Sequence, residues 1–237
     1  MKKLLFILIA CSLFSFAQHA KAAIATDAFT DGGFAVATSL TFSATVTGSN
    51  PILFVGNLNS TSANNCTDYK YNGVAMTKLV NAITGTADRY MDTYYLINPA
   101  TGAHNVVINC TASDVIAALS ASYTGVKQSG FPDASQNTQS DTGTSNTNTL
   151  TTVADNAWHG MSLRSAASPS AGTGATIRVT EATIGNMAYF DSNGVIHPAG
   201  SHSMTANWAA SAVNLTEGFS FAPVATTINN ALFFGGD

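Results

Sequence analysis

The side chains that could carry out catalysis are few and far apart in this chain. Nucleophilic hydrolysis needs a serine or cysteine beside an oriented histidine, and the sequence has no Gly-x-Ser-x-Gly turn. Cleavage of glycosidic bonds needs two facing carboxyl groups, and Glu181 and Glu217 are the only glutamates. Neither glutamate stands in a recognisable catalytic pattern. The sequence therefore predicts a protein that is not an enzyme, with a carbohydrate-active hydrolase kept as an alternative.

Two pairs of side chains have types that bind metal ions. Asp27 and Asp31, followed by two glycines, offer oxygen ligands that could hold calcium. The dense Asp-x-Asp pattern of a dedicated calcium loop is missing, so an ordinary Asp/Gly turn is the alternative. His197 and His202 flank a short predicted turn, but no third ligand follows at a zinc spacing, which predicts solvated histidines.

The two tryptophans are the candidate ligand-binding residues. Glycan sites commonly combine an exposed aromatic face with uncharged hydrogen-bonding side chains. Trp158 lies beside a histidine, and Trp208 follows an asparagine. Both fall in or near predicted strands, where tryptophan usually belongs to the core. A glycan-stacking role and a core role therefore both stay open for each ring.

The first 22 residues have the pattern of an export signal. Lys2 and Lys3 precede an apolar run, and Ala20-Lys21-Ala22 supplies a small-x-small cleavage pattern. The apolar run is too short for a stable membrane span. We therefore predict a signal peptide at 1–22, a single domain at 23–223 and a C-terminal tail at 224–237. Residues 8–11 also resemble a lipobox, so lipidation at Cys11 is an alternative to ordinary cleavage.

Export implies an oxidising compartment, periplasmic, extracellular or at the cell surface. Removing the signal leaves two cysteines, Cys66 and Cys110, and an even pair there predicts one disulfide. In the chain-entropy model a bridge of this span contributes about 4 kcal/mol. Two buried free thiols are the alternative.

The chain is poor in charge. Charged residues make up 9% of it, and the formal charge of −4 becomes −7 when the three lysines of the signal leave. Nucleic-acid binding needs a basic footprint that this composition lacks. Threonine, serine and asparagine are abundant, which predicts a neutral, hydroxyl-rich surface. The expected partner is an extracellular glycan or a surface protein.

Hydrophobic residues alternate with polar ones along most of the chain, which is typical of strands with one buried face. Asn72-Gly73 lies between apolar flanks and predicts a tight hairpin. Residues 128–155 are polar and are predicted as an exposed loop followed by an edge strand.

Two positions near the end of the chain need a specific explanation. Gly194 is expected to take a left-handed conformation in a turn after Asp191. Glu217 shares a face with apolar residues, and a bulge beside Gly218 is the preferred explanation. Further strands are predicted at 40–46, 52–55, 90–97, 104–110, 115–123, 157–163, 175–179, 186–190 and 213–221.

About ten short strands and no amphipathic helix predict an all-β fold, a two-sheet antiparallel β-sandwich of jelly-roll type. Four segments carry a resemblance to a known module: 71–77 (YNGVAMT), 94–102 (YYLINPATG), 122–126 (SYTGV) and 219–223 (FSFAP). They resemble an uncharacterised jelly-roll-like module that recurs in bacterial surface and phage-associated proteins. The resemblance spans most of the mature chain and implies architecture and a surface role, with no chemistry.

These observations together predict a secreted or surface-displayed, non-catalytic binding or adhesion module that recognises a glycan or another surface through loops at one end of the sandwich. The first alternative is a structural subunit of a surface layer or fibre. Such a subunit would assemble through Leu232-Phe233-Phe234 or through an exposed strand edge.

Overall fold

The computed structural model describes residues 23–59, 65–79, 83–84, 90–183 and 186–225, and every regular element in these ranges is a β-strand. The predicted signal peptide, Cys11 and the Leu232-Phe233-Phe234 triplet lie outside the described residues. No helix long and apolar enough to cross a membrane occurs in the described ranges. The prediction of an all-β, two-sheet antiparallel sandwich is confirmed.

The first sheet contains eight strands from the first half of the chain. They are β1 (Ala25–Val46), β2 (Ile52–Asn59), β3 (Cys66–Tyr71), β4 (Val74–Ala75), β5 (Thr77–Lys78), β6 (Ile83–Thr84), β7 (Tyr90–Ile97) and β8 (Gly102–Thr124). The long strand β8 has β1 along one side and both β2 and β3 along the other. β7 follows β2, and the short strands β5 and β6 pair with β7.

The second sheet contains six strands from the second half. They are β9 (Ala134–Thr151), β10 (Trp158–Ser165), β11 (Ser170–Ala171), β12 (Thr176–Glu181), β13 (Met187–Asp191) and β14 (Ser201–Phe221). β14 has β9 along one side and both β10 and β11 along the other. β13 follows β10, and β12 pairs with β13.

The two halves therefore have the same strand topology. The neighbours β1-β8-β2-β7 of the first sheet correspond to β9-β14-β10-β13 of the second, in the same chain order. The segments that follow β8 and β14 meet in an antiparallel bridge between Val126 and Pro223. Lys127 N donates to Ala222 O, and Val224 N donates to Gly125 O, both at 2.9 Å. These reciprocal hydrogen bonds join equivalent positions after β8 and β14, which gives this bridge a local two-fold axis.

Each sheet folds back over itself, because its longest strands bend at bulges. The register of β1 shifts between Ala37 and Ser39, and that of β14 shifts between Asn207 and Ala212. Thr47 N, at the end of β1, donates to Asp27 Oδ2 near its start at 2.7 Å. A Cβ on Gly32 would lie 2.8 Å from the Phe42 ring, so glycine permits this close approach.

Three large cores occur among the described residues, beside a small contact between Met91 and Leu215. The central core lies between the two sheets and is aromatic, with Phe54 and Tyr123 of the first sheet against Tyr189, Phe219 and Phe221 of the second. The folded first sheet encloses a second core, which includes the stacked Tyr69 and Tyr94 rings at a centroid distance of 3.6 Å. The folded second sheet encloses a third core, which includes Met161, Phe190 and Trp208.

A buried ionic network crosses the central core. Tyr123 Oη donates to Asp191 Oδ2 at 2.6 Å, and Arg178 Nε donates to the same oxygen at 2.8 Å. Arg178 also lies 5.6 Å from the centroid of the Phe29 ring. Burial raises the pKa of Tyr123 well above its usual value, and the Tyr189 hydroxyl and the Asp191 carboxylate raise it further. The network therefore joins Tyr123 of the first sheet to Asp191 and Arg178 of the second.

Several local predictions are confirmed. Cys66 and Cys110 form a disulfide between directly paired residues of β3 and β8. Asn72 and Gly73 both have positive φ, at 48° and 77°, in the hairpin between β3 and β4.

Four other local predictions are wrong. Residues 104–110 and 115–123 belong to one strand, β8, because the polar residues between them continue the ladder. The loop expected in 128–155 is mostly the long edge strand β9. Asn193, with φ 51°, takes the left-handed position expected of Gly194. Glu217 lies in regular register between β9 and β10, with no bulge.

Candidate functional site

A flat group of hydroxyl side chains covers one outer surface of the second half. Thr147, Thr149 and Thr151 of β9 point outward at alternate positions and are exposed. Each lies directly opposite a hydroxyl residue of β14, namely Thr205, Ser203 and Ser201. We call these six residues the hydroxyl face. Alternate positions on a strand are about 6.7 Å apart and neighbouring strands about 4.8 Å apart, so the hydroxyls form a regular grid.

Two of the three opposite pairs of the hydroxyl face hold each other by side-chain hydrogen bonds. The hydroxyls of Thr147 and Thr205 are 2.8 Å apart, and those of Thr149 and Ser203 are 2.7 Å apart. Threonine is also stiff at its first side-chain torsion, since its β-carbon is branched. A ligand that binds this surface would therefore freeze little additional side-chain motion.

The first half carries a related but incomplete row. Thr41, Ser43 and Thr45 of β1 are exposed at alternate positions. Their partners on β8 are Val107, Asn105 and Ala103, which supply no hydroxyl. The corresponding strands β1 and β9 therefore both carry a row of hydroxyl side chains, but the two-strand grid is formed on the second half.

The structure brings together two histidines that the sequence did not connect. His159 Nδ1 of β10 lies 3.2 Å from His202 Nδ1 of β14, and His159 Nε2 lies 3.2 Å from Asn148 Oδ1. Burial lowers the pKa of His159 to about 3, with a further contribution from His202, and burial lowers the pKa of His202 as well. Both rings are therefore neutral at neutral pH. The two residues meet because β14 bends back over β10, which residue spacing alone does not reveal.

His197, the other histidine considered with His202, lies elsewhere. Its side chain is 61% exposed, and its Nδ1 is 3.9 Å from Asp155 Oδ1. The prediction that His197 is solvated therefore fits its position. His202 instead has a half-buried side chain directed at a buried partner.

Glu217 is a buried carboxyl group between the two sheets. It is 1% exposed and contacts the Thr93 hydroxyl and backbone N–H, while Oε2 has no hydrogen-bond partner among the described residues. Burial raises the pKa of Glu217 to about 8, an increase that hydrogen bonding to Thr93 only partly offsets. The group is therefore mostly protonated at neutral pH. Glu181, the other glutamate, is also buried, and it accepts a hydrogen bond from Thr183 N at 2.8 Å.

Both tryptophans lie in cores and offer no face to solvent. Trp158 is 7% exposed and packs against Tyr123 and Phe221. Trp208 is 5% exposed, and its indole N–H donates to Gly143 O. Stacking on a sugar would require each ring to leave its core. The glycan-stacking role considered for these residues therefore has no geometric support.

The two aspartates considered for calcium are occupied by protein donors. Asp27 accepts hydrogen bonds from Thr47 N and from Ser122 Oγ at 2.7 Å and 2.8 Å. Asp31 accepts from Gly33 N at 2.8 Å, which is the Asp/Gly turn given as the alternative. No group of three or more potential metal-binding His, Cys, Asp or Glu side chains occurs among the described residues. Asp27 therefore joins the two ends of the bent strand β1 through its hydrogen bond from Thr47 N.

Comparison with known proteins gives no further information on the site: no protein-family model, curated protein or solved structure matches the chain.

Proposed function

We propose that this chain is an exported, non-catalytic binding module that recognises a glycan through its hydroxyl face. The observation that carries the proposal is the two-strand grid of six hydroxyl residues, of which Thr205 is half-buried and the other five are exposed, and which contains no charged side chain. Sugars present closely spaced hydroxyl groups that both donate and accept hydrogen bonds, as serine and threonine do. A stiff, neutral grid is therefore complementary to an extended polysaccharide surface.

Two further observations support a binding role over catalysis. The two glutamates are buried rather than facing each other across an open cleft, whereas glycosidases hold two carboxyl groups beside the substrate. The low charge of the chain also suits an uncharged partner, because recognition of a charged polymer uses opposite charges.

The test removes hydroxyl groups while keeping strand shape. In the triple variant Thr147→Val, Thr149→Val, Thr151→Val, each side chain keeps its branched form and β-propensity. A hydrogen bond contributes about 1 kcal/mol net, so losing three should weaken binding about a hundredfold. Binding is measured by depletion of the protein from solution over insoluble cellulose, chitin and peptidoglycan.

The matched control changes three exposed strand threonines outside the hydroxyl face: Thr26→Val, Thr67→Val and Thr180→Val. We expect this control to bind like the wild type. Wild-type protein that binds none of the three polymers above background would overturn the proposal. Equal loss of binding in the two triple variants would overturn it too, since the effect would then not belong to the hydroxyl face.

A second candidate function, assembly into a surface layer or fibre, is favoured by one specific feature of β1. Among the described residues β1 pairs with β8 alone, so its other edge is open. Two large apolar side chains of this strand are exposed, Phe34 by 42% and Val36 by 68%. Open edges with apolar side chains are sites where another chain can add a strand.

Assembly through β1 predicts a concentration-dependent mass in sedimentation velocity that Val36→Lys reduces to that of a monomer. A lysine on an edge strand opposes pairing because its charge would have to be desolvated. The control is Val195→Lys, which adds the same charge at an exposed valine outside β1. A monomeric wild type, or an equal response to both lysines, would contradict assembly through this edge.

A further inference from the structure

The paired histidines of the second half have the geometry of two ligands of one metal ion. In zinc sites the metal–nitrogen bonds are about 2.0–2.1 Å long. An Nδ1–Nδ1 distance of 3.2 Å then corresponds to an angle at the metal of about 100–106°. This angle is close to the tetrahedral value of about 109° that zinc adopts. The separation of the two nitrogens is therefore one that two ligands of a single ion can have.

The hydrogen bonding of His159 favours the protonation state that a metal needs. Asn148 Oδ1 is an acceptor, so its contact with Nε2 at 3.2 Å places the ring proton of His159 on Nε2. The Nδ1 nitrogen then carries a lone pair directed at His202. Metal-binding histidines usually donate their other ring N–H to an oxygen in this way, which fixes the orientation of the ring.

Gly218 leaves the space that the Asn148 amide occupies beside His159. A Cβ on residue 218 would lie 2.0 Å from Asn148 Oδ1, so only glycine, which is present there, leaves room for the amide. His159 is fully buried, whereas His202 is half-buried and reaches the surface. A bound ion would thus lie between a buried ligand and a partly exposed one.

We propose that His159 and His202 form a two-histidine site for a divalent transition-metal ion such as Zn²⁺. Imidazole is a preferred ligand of zinc, copper and nickel. In the metal-free protein, a proton on His202 Nδ1 bridges the two rings as a hydrogen bond. Metal binding replaces this bridge, and His202 moves its proton to Nε2, so no net charge has to be removed from either ring. The site is independent of the hydroxyl face, whose residues take no part in it.

The proposal is tested on the full chain without a histidine tag, with the Cys66–Cys110 bridge intact. Binding of Zn²⁺ is measured by isothermal titration calorimetry and by the rise in thermal unfolding temperature with added ZnCl₂. Loss of an outer partner of a metal ligand typically weakens affinity 10–100-fold, so loss of a ligand in His202→Gln should weaken it by more than about tenfold. The half-buried position of His202 makes this variant suitable, and circular dichroism verifies that it folds.

The matched control is His197→Gln, which removes an exposed histidine five residues away in sequence. We expect this variant to bind Zn²⁺ like the wild type. Three results would each overturn the proposal: no Zn²⁺ binding by the wild type, unchanged binding by His202→Gln, or an equal loss in His197→Gln. Each of these three results can be told apart from a failure of the proposed glycan binding, because the zinc measurement uses no glycan.

Discussion

Replacing Glu217 with glutamine is expected to make the folded protein about 5 kcal/mol more stable than the wild type near pH 9. The pKa of Glu217 rises from 4.5 to about 8 because the carboxyl group is buried. Its neutral form is therefore favoured in the folded state. The contribution to stability is fully present below about pH 4.5, falls as the pH rises, and is lost above about pH 8. Glutamine resembles the neutral carboxyl group and has no charge to bury.

The measurement is the free energy of unfolding in urea at about pH 4.5 and pH 9 for both proteins. Near pH 4.5 the two should differ by no more than about 1 kcal/mol, the usual net contribution of one hydrogen bond. Asp31→Asn is the control, since it removes the same formal charge from an exposed residue and keeps the acceptor for Gly33 N. An equal difference between wild type and Glu217→Gln at both pH values would contradict the prediction.

The second large effect is expected at the centre of the aromatic core. Phe54→Ala should reduce the free energy of unfolding by about 3–5 kcal/mol, the usual range for removal of a buried phenylalanine. The Phe54 ring lies 4.6 Å from Phe219 and 5.6 Å from Phe221, measured between ring centroids. These rings belong to the other sheet, so the cavity would weaken contact between the two halves.

Guanidinium chloride unfolding measures this change. Phe34→Ala is the matched control, because Phe34 is 42% exposed on β1, and it should cost less than about 1 kcal/mol. The transition of Phe54→Ala should stay single, since both halves contribute to the core that the substitution damages. A loss below about 1 kcal/mol, or two separate transitions, would contradict a shared central core.

The parts of the fold that the sequence predicted are governed by local rules. The alternation of Ala44 and Val46 with exposed threonines follows from the two-residue period of a strand, and both are buried as expected. Asn72-Gly73 predicted its hairpin because both residues tolerate positive φ. The disulfide was predicted from an even number of cysteines in a chain that the sequence predicts to be exported.

The parts that it did not predict depend on distant partners. β9 is rich in serine, threonine and asparagine and has the composition of a loop, but β14 provides a ladder along most of its length. Glu217 was expected at a bulge because a buried carboxylate is costly. In the structure the carboxyl group is held by Thr93, which lies on the other sheet and more than a hundred residues earlier.

The candidate sites were only partly visible in the sequence. The outward threonines of β9 have the two-residue period of a strand, but their pairing with Ser201, Ser203 and Thr205 requires the register of β14. Contact between His159 and His202 requires β14 to bend, which follows from its bulges after Asn207. Trp158 and Trp208 could not be assigned to core or surface, because burial depends on packing between elements.

The bridge between Val126 and Pro223 has a consequence for how the chain is held together. Within the described residues the disulfide links β3 to β8, so it closes a loop inside the first half. The halves are joined covalently by residues 125–133 and otherwise by non-covalent packing across the axis. Two molecules that exchanged their second halves would recreate the same packing in a dimer, as in domain swapping. In such an exchange, residues 125–133 would have to connect the two molecules.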